Sequence, residues 1–370
     1  MKKILILANS ISGLYSFRKE LMQILVEDGC EVTIAAPAGE RMKYFTEIGC
    51  HCIEVPINRH SVNPISDFTL FLRFIGIMRR VRPDAALTYT IKPNVYGGLV
   101  CRLLRIPYIA NITGLGDSIE NGGILQKVAL MLYRLGLKEA SCVFFQNDSN
   151  RRFFQKNAIA EEKAKLIPGS GVNLEQHCFE EYPDEKNGLT FLFIGRMSKD
   201  KGIEEFLEAA QVIRGKYPKT QFHLIGNIEG DYSEKIKDLE KRGIITYLGR
   251  QNDVHAFIKG SHATILPSYH EGTSNVLLES ASTGRPVLAS RVTGCRETFD
   301  EGVSGLGFEA RNVDSLVKTI MEFIKLPHEK KSDMGLEGRR KMEREFDREF
   351  VINAYMQEIC KIIGESEESV

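Results

Sequence analysis

Short apolar runs alternate with amphipathic stretches along the whole chain, and this alternation predicts its secondary structure. In the first half, the runs fall at residues 3–8, 31–36, 52–56, 84–88, 107–111 and 142–145. Between them, apolar positions recur every three or four residues, as they do in helices that cover one face of a sheet. Apolar strands that alternate with helices are typical of parallel sheets built from βαβ units, so the predicted fold class is α/β.

The length and the turn-forming residues indicate two domains. A chain of 370 residues suits two domains of ordinary size, each able to bury its own core. Residues 169–188 are rich in turn-forming and acidic residues, which is typical of a linker. We therefore predict a first domain over residues 1–168, a linker over 169–188 and a second domain over 189–346.

The net charge of the chain is zero, but its two halves differ in sign. Residues 1–168 hold 22 Lys and Arg against 15 Asp and Glu, a net charge of +7, and residues 169–370 hold 27 against 34, a net charge of −7. A basic first half suits a phosphorylated substrate or an anionic membrane surface better than a neutral sugar.

The start of the chain and the cysteines indicate a reduced compartment. The apolar run after Met1 is only about five residues long, short of the core of a signal peptide. No stretch approaches the roughly 18 apolar residues of a membrane span. The eight cysteines are scattered without a Cys-x-x-Cys pair. We expect a cytoplasmic enzyme with no nucleic-acid partner.

The turn after the first predicted strand argues against a nicotinamide enzyme. A dinucleotide-binding domain would carry Gly-x-Gly-x-x-Gly there, whereas only Gly13 is present before a helix expected from about Phe17. A hydride-transferring enzyme of this fold is therefore disfavoured.

Two glutamates, Glu271 and Glu279, are eight residues apart and follow a strand-like run at 263–267. A helix is expected from about Asn275, which places Glu271 in the preceding turn and Glu279 about one turn inside. Amides at the start of a helix lack intrahelical partners and form an anion site. The amides expected here belong to Gly272, Thr273, Ser274 and Asn275. An acidic cap followed by an ordinary helix glutamate is an equal explanation of this pair alone.

A second polar turn follows the predicted strand at 189–194. Gly195 would let the backbone turn at the strand's carboxyl end, where ligands gather in open α/β sheets. Arg196 offers a planar fork for phosphate oxygens, and Lys201 a compact positive charge. Two cations in one such turn, ahead of an acidic pair on a similar unit, favour a phosphorylated ligand over solvated surface charges.

Together these motifs resemble the family-4 glycosyltransferases, a retaining group with the GT-B fold of two Rossmann-like, doubly wound domains facing a central cleft. The matching pieces are Gly195-Arg196…Lys201-Gly202, Pro267-Ser268…Glu271-Gly272…Glu279, Gly284-Arg285-Pro286 and Gly294…Glu297. The run Thr-Gly-Leu-Gly from Thr113 looks like the subgroup that extends lipid-linked oligosaccharide or capsular polysaccharide precursors.

The resemblance implies roles for the two domains. Residues 1–168 would bind the acceptor and residues 189–346 the nucleotide-sugar donor, with a last helix at 347–363 returning to the first domain. The implied donor-binding residues are Gly13, Gly195, Arg196, Lys201, Arg250, Glu271, Gly272, Thr273, Ser274, Asn275 and Glu279. Arg196 and Lys201 would neutralise the leaving diphosphate, Glu271 would contact the transferred sugar, and Glu279 would bind the ribose hydroxyls.

Two polar loops of the first half, at residues 89–94 and 111–117, are expected to contact the acceptor. Their candidate residues are Lys92, Asn94, Asn111, Thr113 and Gly114. Asp117 is the carboxylate of the second loop and would act as catalytic base beside Arg196, Lys201 and Glu271, although a capping role explains it equally.

The implied reaction is transfer of a hexose or N-acetylhexosamine from a nucleoside diphosphate sugar, UDP being favoured, to a polyprenyl-diphosphate-linked saccharide. The chain has no Asp-x-Asp motif, so we expect no metal or other cofactor. We expect peripheral contact with an anionic membrane at its inner face. The helical pattern at 67–82, apolar with an arginine-rich end, fits either such an interface or a buried crossover helix. A UDP-sugar epimerase of the same fold and a non-catalytic nucleotide-sugar sensor remain as alternatives.

Overall fold

The computed structural model describes residues 1–57, 63–114 and 122–368, with side chains through residue 364. The chain separates into two compact units, one formed by Met1–Ser170 with Glu349–Val370 and the other by Gly171–Arg348. Each unit is built around a parallel β-sheet flanked by helices. The α/β class predicted from the alternating pattern is confirmed.

The first unit contains strands close to the predicted runs. They are β1 (Lys3–Ala8), β2 (Glu31–Ala36), β3 (His51–Glu54), β4 (Ala85–Tyr89), β5 (Tyr108–Ile112), β6 (Cys142–Phe145) and β7 (Ala164–Leu166). Among the described residues they form one sheet in the order β3-β2-β1-β4-β5-β6-β7. The pattern did not predict β7, because this three-residue edge strand is largely exposed and has no apolar run.

Alternate residues of β1 enter two separate cores. Ile4 and Ile6 pack into the core on one face of the sheet, and Leu5 and Leu7 pack into the core on the other. All four side chains are fully buried. A strand covered on both faces has no polar side, which explains why its sequence reads as an unbroken apolar run.

Helices cover both faces of this sheet. They are α1 (Ile11–Glu27), α2 (Met42–Glu47), α3 (Pro64–Val81), α4 (Gly98–Leu104), α5 (Gly123–Leu137) and α6 (Asp148–Lys156), with a π-helical turn at Pro93–Gly97 directly before α4. Helix α1 begins at Ile11, well before the expected Phe17, because Ser10 caps it by accepting a hydrogen bond from the Gly13 amide.

The last helix of the chain, α13 (Arg348–Glu368), supplies core residues to the first unit. The buried residues of α13 lie in the same core as Ile4 and Ile6 of β1; they are Val351, Ile352, Tyr355 and Ile359. The Tyr355 hydroxyl accepts a hydrogen bond of 2.7 Å from the Asn111 side-chain amide. This part of the sequence therefore completes a core that begins more than 300 residues earlier.

The second unit has its own sheet and helices. Its strands are β8 (Thr190–Ile194), β9 (Gln221–Ile225), β10 (Thr246–Tyr247), β11 (Ala263–Leu266), β12 (Val287–Ser290) and β13 (Gly305–Phe308). Its helices are α7 (Ile203–Lys216), α8 (Ser233–Lys241), α9 (His255–Lys259), α10 (Asn275–Ser282), α11 (Val313–Lys325) and α12 (His328–Lys341), followed by a π-helical turn at Met342–Phe346.

Both sheets reverse their strand order in the same way. In the described part of the second unit the order is β10-β9-β8-β11-β12-β13, so the direction of winding changes between β8 and β11. In the first unit it changes between β1 and β4. Such a switch point leaves a crevice at the carboxyl ends of the two central strands, which is where open α/β sheets bind ligands.

The predicted linker at 169–188 is hydrogen-bonded to the second unit. Arg285, fully buried, donates hydrogen bonds to the carbonyls of Glu180 and Glu181 at 2.9 and 2.8 Å. Ser282 donates to the His177 carbonyl at 2.6 Å. The segment from Gly171 therefore packs as part of this unit. Its turn-forming residues make it irregular, and the buried arginine satisfies its carbonyls.

Candidate functional site

The switch point of the second sheet brings the two predicted donor loops together. Residues 195–202 leave the carboxyl end of β8, and residues 267–274 leave the carboxyl end of β11. The two strands are hydrogen-bonded neighbours, so side chains that are about 75 residues apart in sequence meet at one edge of the sheet.

Gly202 positions Lys201. A 3₁₀ turn at Lys199–Lys201 ends at Gly202, which has φ 68°. A Cβ added to Gly202 would lie 2.1 Å from the Pro267 carbonyl oxygen, so this close approach of the two loops requires glycine. The turn delivers the Lys201 side chain to the second loop.

Lys201 and Glu271 form an ion pair across the two loops. Lys201 Nζ lies 2.6 Å from Glu271 Oε1, and Ser268 Oγ donates to the same oxygen at 2.8 Å. Both charged side chains are largely buried, at 18% and 15% exposure. Lys201 and Glu271, two of the predicted catalytic residues, therefore meet directly. The bonds from Lys201 and Ser268 both fall on Oε1 of Glu271.

Arg196 lies beside this pair in a cluster of carboxylates. It donates to Glu229 at 2.7 Å and to Asp200 at 3.0 Å, and its side chain is about half exposed. Burial alone would raise the pKa of Asp200, but the Ser198 hydroxyl and the charges of Arg196 and Lys201 lower it overall. The turn is a dense set of alternating charges that keeps Asp200 ionised.

Gly195 is not the residue that the tight turn requires. A Cβ on Gly195 would have ordinary contacts, 3.7 Å from the Phe193 ring. The strained position is Gly226, at the end of β9, with φ 140° and a virtual Cβ 1.9 Å from the Gly195 carbonyl oxygen. Gly195 was predicted to be the glycine that the turn requires, and this was wrong. The glycine is required at position 226, where the end of β9 lies against the Gly195 carbonyl.

In the turn before α10, fewer backbone amides are available to a ligand than the sequence suggested. The helix begins at Asn275, as predicted, with Ser274 as its cap. The Ser274 amide donates to the Gly294 carbonyl at 2.8 Å, so this amide is not available to an anion. Gly294 has φ 82°, and a Cβ there would lie 2.5 Å from the Glu271 carbonyl oxygen. The loop at Gly294 thus fixes the Glu271 turn, and the expectation of four outward-facing amides fails at Ser274.

Glu279 lies inside α10 with a perturbed acidity. Burial raises the pKa of this carboxyl group to about 7; Arg348 opposes the shift and Asp253 adds to it. A carboxyl group with that pKa changes charge near neutral pH. Gly171 lets Arg348 approach, since it has φ 64° and its virtual Cβ would lie 2.5 Å from Arg348 Cα.

Arg250 follows β10 and is exposed. The preceding residue, Gly249, accepts a hydrogen bond from the Gly226 amide at 2.9 Å. This contact joins the loops after β9 and β10, next to the loop after β8. Arg250, one of the predicted donor-binding residues, therefore borders the same end of the sheet as Lys201 and Glu271.

Gly13, in the first unit, does not lie in a loop. It occupies the first turn of α1, where its amide donates to Ser10 Oγ at 3.0 Å. The expectation of an open glycine loop after β1 is therefore wrong, because a serine cap starts the helix six residues early.

The two asparagines predicted to bind the acceptor are structural. Asn94 and Asn111 are fully buried. Asn94 accepts from Thr88 Oγ1 at 2.7 Å and donates to the Asn111 carbonyl at 2.8 Å, and Asn111 donates to Tyr355. Both side chains connect neighbouring elements below the surface, so their assignment to the acceptor site was wrong.

Lys92 is held in an ion pair, and the remaining acceptor candidates lie after β5. Lys92 Nζ lies 2.7 Å from Asp67 Oδ1, on the wall of a cavity of about 440 Å³. Thr113 is exposed and Gly114 is partly buried. Asp117 lies outside the described residues.

Comparisons with known proteins agree with the motifs. Residues 176–341 match the family described as glycosyl transferases group 1, and residues 13–169 match the glycosyl transferase 4-like domain. Between them these matches cover most of the chain.

The chain is a glycosyltransferase that combines a 4-like domain with a group 1 domain.

Relatives and solved structures extend this assignment. The chain is 26% identical to an N,N'-diacetylbacillosaminyl-diphospho-undecaprenol alpha-1,3-N-acetylgalactosaminyltransferase of Campylobacter jejuni, covering 85% of this chain and 87% of that protein. It is 21% identical to the capsular polysaccharide biosynthesis glycosyltransferase CapM of Staphylococcus aureus, covering 89% and 90%. The structure of Anabaena HepE in complex with UDP and glucose is similar with a TM-score of 0.79 and 17% identity, covering 98% of this chain and all of that one. The GT-B fold class is confirmed.

Sequence reasoning missed several residues of this glycosyltransferase's site. Ser268, Asp200 and Glu229 fix the charged groups, and Arg348 adjusts the acidity of Glu279. Ser268 and Asp200 lie inside the motifs and were within reach. Glu229 and Arg348 come from other parts of the chain, and no local pattern indicates them.

The described helices include none with the length and apolar character needed to cross a bilayer. Two helices of the first unit nevertheless expose apolar side chains. We use the name apolar-basic surface for the exposed residues of α3 and α5. Its apolar members are Ile65, Phe68, Leu72, Ile124, Leu125, Val128, Met131 and Leu135, and its basic members are Arg73, Arg79, Arg80, Lys127 and Arg134. The opposite side of α3 packs into the core, so this helix combines both patterns left open by its sequence.

Proposed function

We propose that this glycosyltransferase moves a hexose or N-acetylhexosamine from a UDP-sugar to a hydroxyl of a polyprenyl-diphosphate-linked saccharide, with retention at the anomeric carbon. The observation that carries the proposal is the Lys201–Glu271 pair, held at the switch point by Gly202 and Ser268. The relative from Campylobacter jejuni supports the lipid-linked acceptor by its name, and the HepE complex supports UDP.

The diphosphate of the donor would replace carboxylates at the two cations. Lys201 faces Glu271, and Arg196 faces Asp200 and Glu229. A diphosphate offers a higher charge density than a carboxylate, and Arg196 can bind two of its oxygens at once. As the sugar leaves, negative charge grows on these oxygens, so fixed cations stabilise the transition state more than the bound donor.

The same exchange would release Glu271 for the sugar. Once Lys201 turns to the diphosphate, Ser268 still holds Oε1 of Glu271, and the carboxylate can accept hydrogen bonds from sugar hydroxyls. Such contacts would orient the anomeric carbon toward the acceptor without a covalent intermediate. Attack on the face from which the diphosphate leaves would give retention.

Glu279 and Arg250 would bind the nucleoside. Glu279 in its ionised form would accept hydrogen bonds from both ribose hydroxyls, and its raised pKa makes this contact dependent on pH. Arg250 follows the loop joined to Gly226 and would contact the base. Among the acceptor candidates, Thr113 and Gly114 keep this role, and Asp117 remains the proposed base.

The apolar-basic surface would bring the first unit to an anionic membrane. Exposed apolar residues recur at positions 124, 128, 131 and 135 of α5, a spacing that forms one stripe along a helix. Exposed basic residues lie on the same two helices as the apolar side chains, which is the combination that binds anionic lipid interfaces. A lipid-linked acceptor would be met at such an interface.

The first test is binding of UDP and GDP in the presence of EDTA, measured by calorimetry. We expect UDP to bind without added metal and Lys201→Ala to weaken it strongly. Failure of any nucleotide to bind the wild-type protein would contradict the proposed donor site.

Incubation with candidate UDP-sugars, with and without a polyprenyl-diphosphate saccharide, separates the alternatives. A transferase releases UDP at an appreciable rate only when the acceptor is present, and nuclear magnetic resonance of the product should show an α linkage from an α-linked donor. Conversion of the donor sugar without acceptor would identify an epimerase. Nucleotide binding without any turnover would identify a sensor.

Membrane binding is tested by sedimentation with vesicles that contain anionic lipid. We expect Met131→Glu in the apolar-basic surface to reduce sedimentation. The control is Val212→Glu, which changes an exposed apolar residue in the second unit. Equal sedimentation of both variants would contradict the proposed surface.

A further inference from the structure

Three side chains of different chemistry meet at one point of the second unit, and none of them belongs to the proposed donor site. They are Cys178 and Glu180, from the segment before β8, and His255, the first residue of α9. Each offers one ligand atom, and these atoms all lie within 4.8 Å of one another. The group is partly open to solvent, because Cys178 is exposed and the other two are partly buried.

The distances between these ligand atoms resemble the edges of a small tetrahedron. Cys178 Sγ lies 3.7 Å from His255 Nε2 and 3.9 Å from Glu180 Oε1, and the last two atoms are 3.4 Å apart. Tetrahedral zinc bonds of about 2.0–2.3 Å place neighbouring ligand atoms about 3.3–3.6 Å apart. The group would therefore need to close by only a few tenths of an ångström.

A hydroxyl behind His255 favours the tautomer that a metal requires. Thr283 Oγ1 donates to the Glu279 carbonyl at 2.8 Å and lies 3.5 Å from His255 Nδ1. Because the proton of that hydroxyl is already used, its oxygen can accept a hydrogen bond from Nδ1–H. The Nε2 atom then carries the lone pair, directed at Cys178 and Glu180. A ligating histidine held through its other nitrogen is a common feature of metal sites.

The other oxygen of Glu180 is held by a lysine. Lys259 Nζ lies 2.9 Å from Oε2, which leaves Oε1 toward Cys178 and His255. The hydrogen bond from Lys259 lowers the pKa of Glu180 and so keeps this carboxylate ionised at neutral pH. Lys259 is more than half exposed, so water screens much of its repulsion toward a bound cation.

We propose that Cys178, Glu180 and His255 form a binding site for Zn²⁺, with a fourth position open to water. A thiolate, an imidazole and a carboxylate together suit zinc better than Mg²⁺ or Ca²⁺, which prefer oxygen ligands. Binding releases the thiol proton of Cys178 to solvent, and the thiolate and the carboxylate balance the two charges of the ion.

Such an ion would attach an irregular segment to a regular element. Cys178 and Glu180 belong to residues 171–188, which the sequence predicted to be a linker. His255 begins α9 and follows Asp253, whose side chain accepts a hydrogen bond from the His255 amide at 2.9 Å. Zinc would therefore stabilise the second unit where this segment meets the loop after β10. The inference is independent of which donor and acceptor the enzyme uses.

The experiment is a titration of the full-length, metal-free protein with Zn²⁺ in competition with a chromophoric chelator. We expect one ion per chain, and an affinity at least about 100-fold weaker in Cys178→Ser and in His255→Gln. Matched controls are Cys360→Ser, which removes the other exposed cysteine, and His328→Gln, which removes a half-exposed histidine paired with Glu185. Both controls should keep the wild-type affinity.

Two further readouts do not depend on the variants' activity. Co²⁺ bound to the wild-type protein should give a thiolate charge-transfer band that is absent in Cys178→Ser. Added Zn²⁺ should raise Tm in the wild type and the controls, but not in the two site variants. Absence of stoichiometric binding to the wild type, absence of the thiolate band, or equal loss of affinity in the controls would overturn the proposal.

Discussion

Each unit contains a lysine–carboxylate pair near the central strands of its sheet, and the two pairs differ in what surrounds them. Lys92 and Asp67 lie 2.7 Å apart in the first unit, and Lys201 and Glu271 lie 2.6 Å apart in the second. Their burial is also similar, with all four side chains between 13% and 18% exposed. The distance and the burial therefore do not distinguish the Lys92–Asp67 pair from the pair proposed to bind the donor.

The difference lies in the carboxylate oxygens. Asp67 uses both of its oxygens, one for Lys92 and one for the Tyr96 hydroxyl at 3.0 Å, so the pair joins α3 to the loop after β4. Glu271 receives Lys201 and Ser268 on a single oxygen. Both oxygens of Asp67 are therefore occupied within the protein, whereas we propose that Glu271 can exchange partners with a ligand.

The largest expected effect comes from breaking the second pair. Lys201→Ala should lower kcat/KM by about two to three orders of magnitude, because it removes a fixed cation from the leaving diphosphate. Steady-state kinetics with saturating acceptor would measure this. The matched control is Lys199→Ala, an exposed lysine of the same 3₁₀ turn, which should change kcat/KM by less than about twofold.

Breaking the first pair should leave the donor site intact. We expect Lys92→Ala to lower the stability of the protein but to keep the calorimetric affinity for UDP. A loss of UDP affinity as large as that of Lys201→Ala would show that the two pairs do not differ in the way their oxygens suggest.

The next effect concerns the glycine that delivers Lys201. Gly202→Ala combines an unfavourable positive φ with a contact of 2.1 Å to Pro267, so the turn must shift. Displacing Lys201 by about 1 Å should weaken catalysis by about tenfold or more. Gly215→Ala serves as control, because its added Cβ meets nothing within 4 Å. Similar kinetics for both variants would contradict the positioning role of Gly202.

A smaller effect should appear in the pH dependence of UDP binding. Because the pKa of Glu279 is about 7, ionisation strengthens the ribose contact as pH rises, by at most about tenfold per pH unit below the pKa. The raised pKa also means that Glu279 favours the folded state when protonated, so its contribution to stability is lost as pH rises from about 4.5 to 7. Calorimetry between pH 5.5 and 8.5 should show the slope in the wild type and a flatter line in Glu279→Gln. If UDP affinity changed with pH equally in the wild type and in Glu279→Gln, Glu279 would not be the group that binds the ribose.

The smallest effect on donor binding is expected from the buried amides of the first unit. Asn94→Ala should cost about 1–3 kcal/mol of unfolding free energy, because it leaves the Thr88 hydroxyl and the Asn111 carbonyl without their partner. Chemical denaturation would measure this cost, and UDP affinity should not change. If stability is retained while transfer to the acceptor falls, Asn94 contributes to acceptor binding after all.

The sequence predicted the framework of both units better than the orientation of their polar side chains. Strands such as Lys3–Ala8 were found because a strand buried on both faces has an unmistakable apolar run. The proximity of Lys201 and Glu271 agrees with the sequence, because their motifs lie at the ends of neighbouring strands. Asn94 and Asn111 were assigned wrongly because a polar loop residue has the same sequence whether it faces solvent or bonds below the surface.

Other parts of the site depend on distant sequence and could not be predicted. The close approach at Gly195 is imposed by Gly226, 31 positions later, and no pattern around Gly195 records it. Arg348, which lowers the pKa of Glu279, is 69 positions away in the sequence and packs closely against Gly171. Such effects arise from packing between elements, which periodicity along the chain does not encode.

Helix α13 has a consequence for the order in which the protein folds during synthesis. Tyr355, Val351 and Ile359 fill a core whose strand β1 is synthesised more than 300 residues earlier. Until α13 has been synthesised, that core lacks the side chains of Val351, Tyr355 and Ile359. The Asn111 side-chain amide then also lacks the Tyr355 hydroxyl as its hydrogen-bond acceptor. The second unit, Gly171–Arg348, is complete in sequence before the first. We therefore expect nascent chains that end near residue 348 to contain a protease-resistant second unit, and the first unit to gain its full resistance only after α13 has been synthesised.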